Sequence, residues 1–278
     1  MKNISFGQYY PAESIIHKLD PRSKVILAIM YIVCSFVCKN ILSFAALVAF
    51  SLLVVVLSKI PLKTLLRSIK PLIVIMAFMS LLNLFMTQGG ITLFEISIIK
   101  ITSKGIYAAV SAVIRVVILV MGTGIFLTYT TTPIALTDGI EQLLNPLKKI
   151  KVPVHEFAMM MTIALRFIPT LIEETDKIIA AQKARGADFT SGSLIKRARA
   201  LIPILVPLFI SAFRRADELA IAMECRCYRG GEGRTKLHIL KYGRLDFAII
   251  LLFALFLAAL ITGEYFDIEI PFVGDNWF

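Results

Sequence analysis

Charge is what this chain has little of. Of 278 residues only 18% are Asp, Glu, Lys or Arg, while 58% are hydrophobic and mean hydropathy is +0.80. Soluble domains run near a quarter charged and about half apolar, so an ordinary water-soluble enzyme is excluded. A disordered chain is excluded too, because such chains lack the apolar surface to collapse. Cysteine occurs four times and histidine three. Cys34 and Cys38 share a helix face inside an apolar run, and Cys225 and Cys227 have no second pair or histidine at zinc-like spacing. All four read as small packed thiols rather than metal ligands or disulfides. His17, His155 and His238 fall into no triad or metal spacing. The chain has no Gly-x-x-x-x-Gly-Lys-Ser/Thr phosphate loop, so it is not expected to bind or hydrolyse ATP itself. Tyr9, Tyr10, Pro11, Glu13, His17 and Asp20 interrupt the first twenty residues, leaving no apolar core for a secretory signal.

What is present is a set of long apolar runs. A spanning helix needs about 20 mostly apolar residues to cross about 30 Å of hydrocarbon. Residues 23–38, 41–58, 71–87, 105–128 and 246–263 qualify or nearly do. The first two are separated by Lys39 and Asn40 and read as a tight helical hairpin; both are short, so a bent or re-entrant pair stays open. Gly122-Thr123-Gly124 lies inside the fourth and reads as helix packing.

Lys and Arg number 30 against 19 Asp and Glu, a net charge of +11. With the N-terminus inside and five crossings, the inner side holds Lys2, Lys18, Arg22 and Lys24, then Lys59, Lys63, Arg67 and Lys70, then eighteen more basic residues in 129–244. The outer side holds Lys39, Lys100 and Lys104. The outer tail carries Glu264, Asp267, Glu269 and Asp275 and no basic residue. The positive-inside bias therefore places the N-terminus in the cytoplasm and the C-terminus outside, and a nucleic-acid partner is not expected. Arg115 is the one basic residue inside a span, where a charge faces protein or water and marks either function or a bond to a neighbouring helix's carbonyls.

The expectation is an all-α polytopic membrane protein in three parts: residues 1–130 with four spans, a coupling region 131–244, and residues 245–278 with the last span and tail. In the middle part, Phe157–Ile172 is broken by Arg166 and Pro169, and Ala200–Phe213 by Pro203 and Pro207. Each is too short to span comfortably and passes into polar helical sequence, so both read as long amphipathic helices lying on the membrane surface. Thr137 and Glu141 sit near a helix-capping arrangement. Gly230-Gly231-Glu232-Gly233-Arg234 reads as a linker.

The two surface helices finish alike. Asp176 precedes Arg185 by nine positions, and Asp217 precedes Arg226 by the same interval. Glycine follows each, at Gly186 and at Gly230-Gly231, as where helices stop. An arginine near a helix C-terminus complements the macrodipole. Here the neighbours are small: Ala184 and Gly186 in one case, Cys225 and Cys227 in the other. An unshielded guanidinium can enter a groove on another protein and donate charge-assisted bonds of about 1.5–3 kcal/mol each. Two such tips suit a partner with two related subunits.

At these residues the chain resembles the transmembrane scaffold of energy-coupling factor (ECF) vitamin transporters, EcfT of the CbiQ/EcfT family. The likeness rests on Ala184-Arg185-Gly186 and, with cysteines as the small residues, Cys225-Arg226-Cys227. It extends to Gly7-Gln8-Tyr9, Pro11, Ser14, His17, Asp20-Pro21-Arg22, Lys24, Thr131-Thr132-Pro133 and the stretch from Arg166 to Gly186. The resemblance implies a non-catalytic, cofactor-free subunit of an ATP-driven importer in the bacterial cell membrane, and it gives His17 a structural role, capping the first span. Two ABC-type ATPases, which bind the ATP, would dock under the coupling helices at Ala184, Arg185, Gly186, Cys225, Arg226 and Cys227. A separate S-component in the bilayer would bind the vitamin or metal ion and reorient to release it.

The main rival is a stand-alone secondary transporter. Such carriers usually place Asp or Glu inside their spans, whereas here Asp246 lies at a span edge and Glu95 in an outer loop. A membrane-embedded lipid-modifying enzyme would need clustered acids. Asp138, Glu141 and Asp188 are spaced as helix caps and solvated faces instead.

Overall fold

In the computed structural model the described residues are 9–38, 40–87, 89, 91–96, 99–187, 189, 193–230 and 240–265. Asp188, His238, the Gly231–Arg234 turn, Gly7-Gln8 and the acidic residues beyond 265 lie outside them. The chain forms α1 (Pro21–Val37), α2 (Ile41–Ser58), α3 (Leu62–Ile69), a 3₁₀ turn at Lys70–Leu72 and α4 (Ile73–Met86). A two-stranded antiparallel hairpin follows, β1 (Thr92–Ile96) with β2 (Ile99–Thr102). Then come α5 (Ser103–Thr123), a π-helical turn over Gly124–Tyr129, α6 (Pro133–Leu143), a 3₁₀ stretch at Asn145–Ile150, α7 (Val154–Ala184), α8 (Leu194–Cys225) and α9 (Arg244–Tyr265).

Among the described residues, five helical stretches are long and apolar enough to cross a membrane: Ile41–Ser58, Leu62–Met86, Ser103–Tyr129, Val154–Ala184 and Arg244–Glu264. The chain is an all-α polytopic membrane protein, with the hairpin as its small β element. The count agrees with the sequence expectation, but one member differs. α1 has 17 residues, about 26 Å of helix, at the short end of the spanning range. α7 joins the set because its apolar part runs on through Pro169 inside one continuous 31-residue helix. The third span also begins earlier than expected. α3 buries Leu65 and Ile69 on one face and continues through the 3₁₀ turn at Pro71 into α4. On α4 only Met76 is buried, while Ile73, Val74, Ile75, Phe78, Leu81 and Phe85 are exposed. So large an apolar surface is tolerable only against lipid or another membrane protein.

The chain divides into two compact units, one of residues 1–140 with 240–278 and one of residues 141–239. In the first, Tyr31 is fully buried at the centre. Its hydroxyl donates to the Ile118 carbonyl at 3.0 Å and lies 2.6 Å from Ser51 Oγ, joining α1, α2 and α5. A Cβ at Gly122 would run into the Tyr31 ring, so the glycine inside the apolar span is there for close packing. Phe126, Phe253, Phe50 and Phe256 continue the cluster, with Phe50 stacked on Phe256 at 4.6 Å.

A buried polar knot closes the end of this unit where α1 begins. Asp20 is the N-cap: Oδ1 accepts from Arg22 N at 2.9 Å, and Pro21 opens the helix with no amide to satisfy. The cap expected of His17 belongs to Asp20 instead, while His17 lies against Ser14 Oγ (2.7 Å) and the Tyr10 carbonyl (2.9 Å). Arg22 grips the Asp20 carboxylate through Nε and Nη2, both at 3.0 Å, and stacks 3.8 Å over the Tyr242 ring. Asp246 uses one carboxylate oxygen for the Asp20 amide (2.9 Å) and the other for the Gly243 amide (2.7 Å). Lys24, 2% exposed, donates to the carbonyls of Thr130 (2.7 Å) and His17 (3.2 Å). Burial opposes ionisation of Asp20, but the hydrogen bonds and charge of Arg22 outweigh it and hold the carboxyl below its ordinary range. His17 is pushed below its usual value, chiefly by burial.

The end of the π turn supplies one of Lys24's two acceptors, the Thr130 carbonyl. A wider turn frees carbonyls from the i→i−4 ladder. Tyr129 O is taken by the Tyr10 amide at 2.9 Å and Thr130 O by Lys24, while Phe126 O accepts from the Thr130 and Thr131 hydroxyls. At the opposite end of the same unit, Glu264 Oε1 accepts from the Asn40 amide at 2.8 Å. There Arg115 Nη2 donates to the Cys38 carbonyl at 2.8 Å, with the guanidinium 5.8 Å from the Phe44 ring centre.

Candidate functional site: two arginine-tipped helices

The second unit is built on α7 and α8. Their contacts run in opposite sense: Gln182 Nε2 reaches the Pro203 carbonyl at 3.5 Å, and Arg215 Nη2 bonds Glu174 Oε2 at 2.9 Å. The helices therefore cross antiparallel. Pro207 has no amide to offer the Pro203 carbonyl four residues back, which is why that oxygen can accept a side chain. Glu174 and Arg215 are themselves 41 residues apart, and the same offset relates Arg185 to Arg226. The two helices thus meet at equivalent positions, and each tip lies eleven residues beyond its own member of the pair, about 16 Å along its axis. Antiparallel crossing sends the two tips to opposite sides.

The tips have one backbone geometry. Arg185 is the C-cap of α7 (φ −86°, ψ 7°) and Arg226 the C-cap of α8 (φ −93°, ψ 14°). After Arg185, the Gly186 amide bonds Lys183 O at 3.0 Å and the Ala187 amide bonds Gln182 O at 3.0 Å. After Arg226, the Cys227 amide bonds Glu224 O at 2.8 Å and the Tyr228 amide bonds Met223 O at 3.0 Å. Both are Schellman terminations, which place the following residue in the left-handed region. Gly186 takes it at φ 85°, and Cys227 at φ 55°. The sequence points to Gly230-Gly231 as the stop of α8, but the helix ends at Cys225, with Cys227 doing what glycine does in the first tip. A side chain there carries a cost of about 1 kcal/mol.

Ala184, Arg185, Gly186, Cys225, Arg226 and Cys227 are all exposed. Neither guanidinium has a partner among the described residues. A Cβ on Gly186 would meet nothing within 4 Å, so its small size matters for conformation and approach rather than for internal packing. Cys225 and Cys227 are free thiols, as are the buried Cys34 and Cys38. Arg115 stands apart from this site, in the first unit, bonded to the α1 end.

One ionisable pair is not readable from the sequence. Glu141, expected to belong to a helix cap, instead lies 3.0 Å from His155 Nδ1, tying the end of α6 to the start of α7. Thr132 Oγ1 receives the Ala135 amide at the start of α6, and Thr137 donates to Pro133 O within it. Nothing in local spacing marks the Glu141–His155 pair, whose members stand 14 residues apart across a 3₁₀ stretch. No group of three or more His, Cys, Asp or Glu that could hold a metal occurs among the described residues.

With this geometry in place, comparison with known proteins is direct. The model of the CbiQ family, described as "Cobalt transport protein", matches residues 12–237. The energy-coupling factor transporter transmembrane protein EcfT of Ruminiclostridium cellulolyticum is 51% identical over 265 residues, covering 95% of this chain and 98% of the relative. That of Acidaminococcus fermentans is 54% identical over 246 residues, covering 88% and 91%, and that of Bacillus subtilis is 49% identical over 250 residues, covering 90% and 94%. A chain of apolar spans that carries two equivalent arginine-tipped helices, and matches these relatives along nearly its full length, belongs to the CbiQ/EcfT family of energy-coupling factor transporter transmembrane proteins.

Proposed function

We propose that this chain is the scaffold subunit of an ATP-driven importer, and that Arg185 and Arg226 each seat in a groove on one of two ABC-type ATPases. The supporting observation is the equivalence of the two tips. Two exposed guanidiniums in the same termination geometry, on antiparallel helices of opposite heading, suit two related subunits of a dimeric partner better than one irregular surface. Each planar fork presents five donors, and carboxylates or carbonyls in the groove complete it. Closure of the two ATPases then moves the two tips relative to one another.

The lipid-exposed apolar faces accommodate a separate S-component, which binds the vitamin or metal ion and sets the substrate. The scaffold itself performs no catalysis and carries no cofactor, ATP being bound by the partner subunits. With α1 as the first crossing and α7 and α8 kept at the membrane surface, the positive-inside distribution puts the N-terminus in the cytoplasm and the C-terminus outside the cell membrane. Arg115, bonded to the end of α1, serves the fold rather than transport.

The experiment is affinity purification of the detergent-solubilised complex bearing Arg185→Glu with Arg226→Glu. The ATPases are expected to be lost while the scaffold remains inserted in the membrane fraction. ATPases retained at the wild-type ratio refute the docking role. A stand-alone carrier, the competing reading, would instead purify without ATPases in the wild type.

A further inference from the structure

The second unit is an insertion in the first: the chain leaves the first, membrane unit, which holds four of the five candidate spans, after residue 140 and returns at residue 240. Both leads are fastened to one place. The outgoing lead starts at Thr130, whose carbonyl receives Lys24 Nζ, and continues into α6, where Gly139 lies so close to Pro21 that an added Cβ would stand 3.0 Å from Pro21 Cβ. The returning lead passes Tyr242, under the Arg22 guanidinium, and Gly243, whose amide is held by Asp246. Asp246 in turn holds the Asp20 amide, 226 residues away in sequence. Two cations and two carboxylates therefore bind both chain leads to the first turn of α1. Asp20, Lys24 and Asp246 are all buried.

Resting on the coupling role proposed above, we infer that this knot is the positioning device through which force on the inserted unit reaches the spans of the first unit. Without it, α6 and the start of α9 are free leads, and motion of the arginine tips is absorbed in them. With it, a pull on either lead acts on α1 and, through Thr130, on the π turn that abuts the Tyr31 cluster. Lys24, Asp246 and Arg22 position the leads and touch neither nucleotide nor substrate.

The test uses the whole complex in lipid nanodiscs, with Mg-ATP plus orthovanadate as the probe, and hydrogen exchange read at the Asp20 amide and in two segments, 124–131 and 243–246. In the wild type the probe is expected to change exchange in both segments. Asp246→Asn keeps an acceptor for one amide but turns the other position into a donor. It should speed exchange of the Asp20 and Gly243 amides about tenfold and abolish the probe-dependent change at 124–131. ATPase copurification and ATP hydrolysis should stay at wild-type levels. Tyr242→Ala, at a surface ring less able to upset folding, should halve that change, and Tyr242→Phe, which keeps the ring under Arg22, should restore it. If the amides loosen but the response at 124–131 persists, the knot is only a staple and the inference is overturned. Loss of the ATPases in Asp246→Asn overturns it as well, since the knot would then act on docking. Failure of the coupling reading itself shows separately, as ATPases retained by the Arg185→Glu, Arg226→Glu control.

Discussion

Two pairs of arginines, one pair in each unit, are used in opposite ways. In the membrane unit Arg22 and Arg115 are spent inside the fold, one chelating Asp20 and stacking on Tyr242, the other bonded to the end of α1. In the inserted unit Arg185 and Arg226 stand exposed at helix ends with nothing described around them to hold. An arginine bonded to groups of its own fold contributes stability. One whose donors are unmet contributes an interface, and it costs the fold little because water solvates it until a partner arrives.

The sharpest way to break this contrast is charge reversal. Arg185→Glu with Arg226→Glu should remove ATPase copurification at least about a hundredfold, with no change in the scaffold's thermal midpoint. Equivalence of the tips predicts that either single reversal weakens copurification by a similar factor, and a one-sided result would show that the two are not interchangeable. The inward-facing arginines should behave in reverse. Arg115→Leu deletes a charge-assisted bond worth about 1.5–3 kcal/mol, so a lowered melting temperature of the purified chain is expected, with ATPase binding intact.

Smaller effects refine the comparison. Gly122→Ala overpacks against Tyr31 and should destabilise by about 1–3 kcal/mol, read as a drop in melting temperature. Cys227→Gly relieves the left-handed residue and should stabilise α8's end by about 1 kcal/mol, with copurification unchanged. The least effect is expected from pH. His17 is held below its ordinary value, so the unfolded chain binds its proton first, and stability present above about pH 6.5 declines as pH falls below it. Asp20, also depressed, loses its contribution only at much lower pH, on falling from its unfolded value through the folded one. Replacing His17 by Asn should flatten the melting profile between pH 7 and 5 and leave the more acidic limb.

Much of this arrangement is legible in the sequence because it is local or periodic. Apolar runs give the spans of α2, α5 and α9, and the repeated Asp-to-Arg interval gives both arginine tips. Continuity of α7 and α8 is harder to see, since Pro169, Pro203 and Pro207 read as breaks; each costs a helix one hydrogen bond, which a long apolar segment absorbs. The knot is invisible for another reason. Asp20, Thr130 and Asp246 meet only after the bundle forms, and no spacing rule links positions at opposite ends of the chain. The π turn at Gly124–Tyr129 has no local signature either, and shows itself only through the carbonyls it frees.

The Schellman end with a thiol in the glycine position has an outcome of its own. Two tips that are otherwise superposable differ in reactivity: the second is flanked on both sides by exposed sulfur, the first by none, and the remaining cysteines are sealed in the membrane unit. A maleimide or another bulky alkylating agent applied to the folded protein therefore addresses one arm alone, and turns a near-symmetric pair into a pair that can be silenced one side at a time.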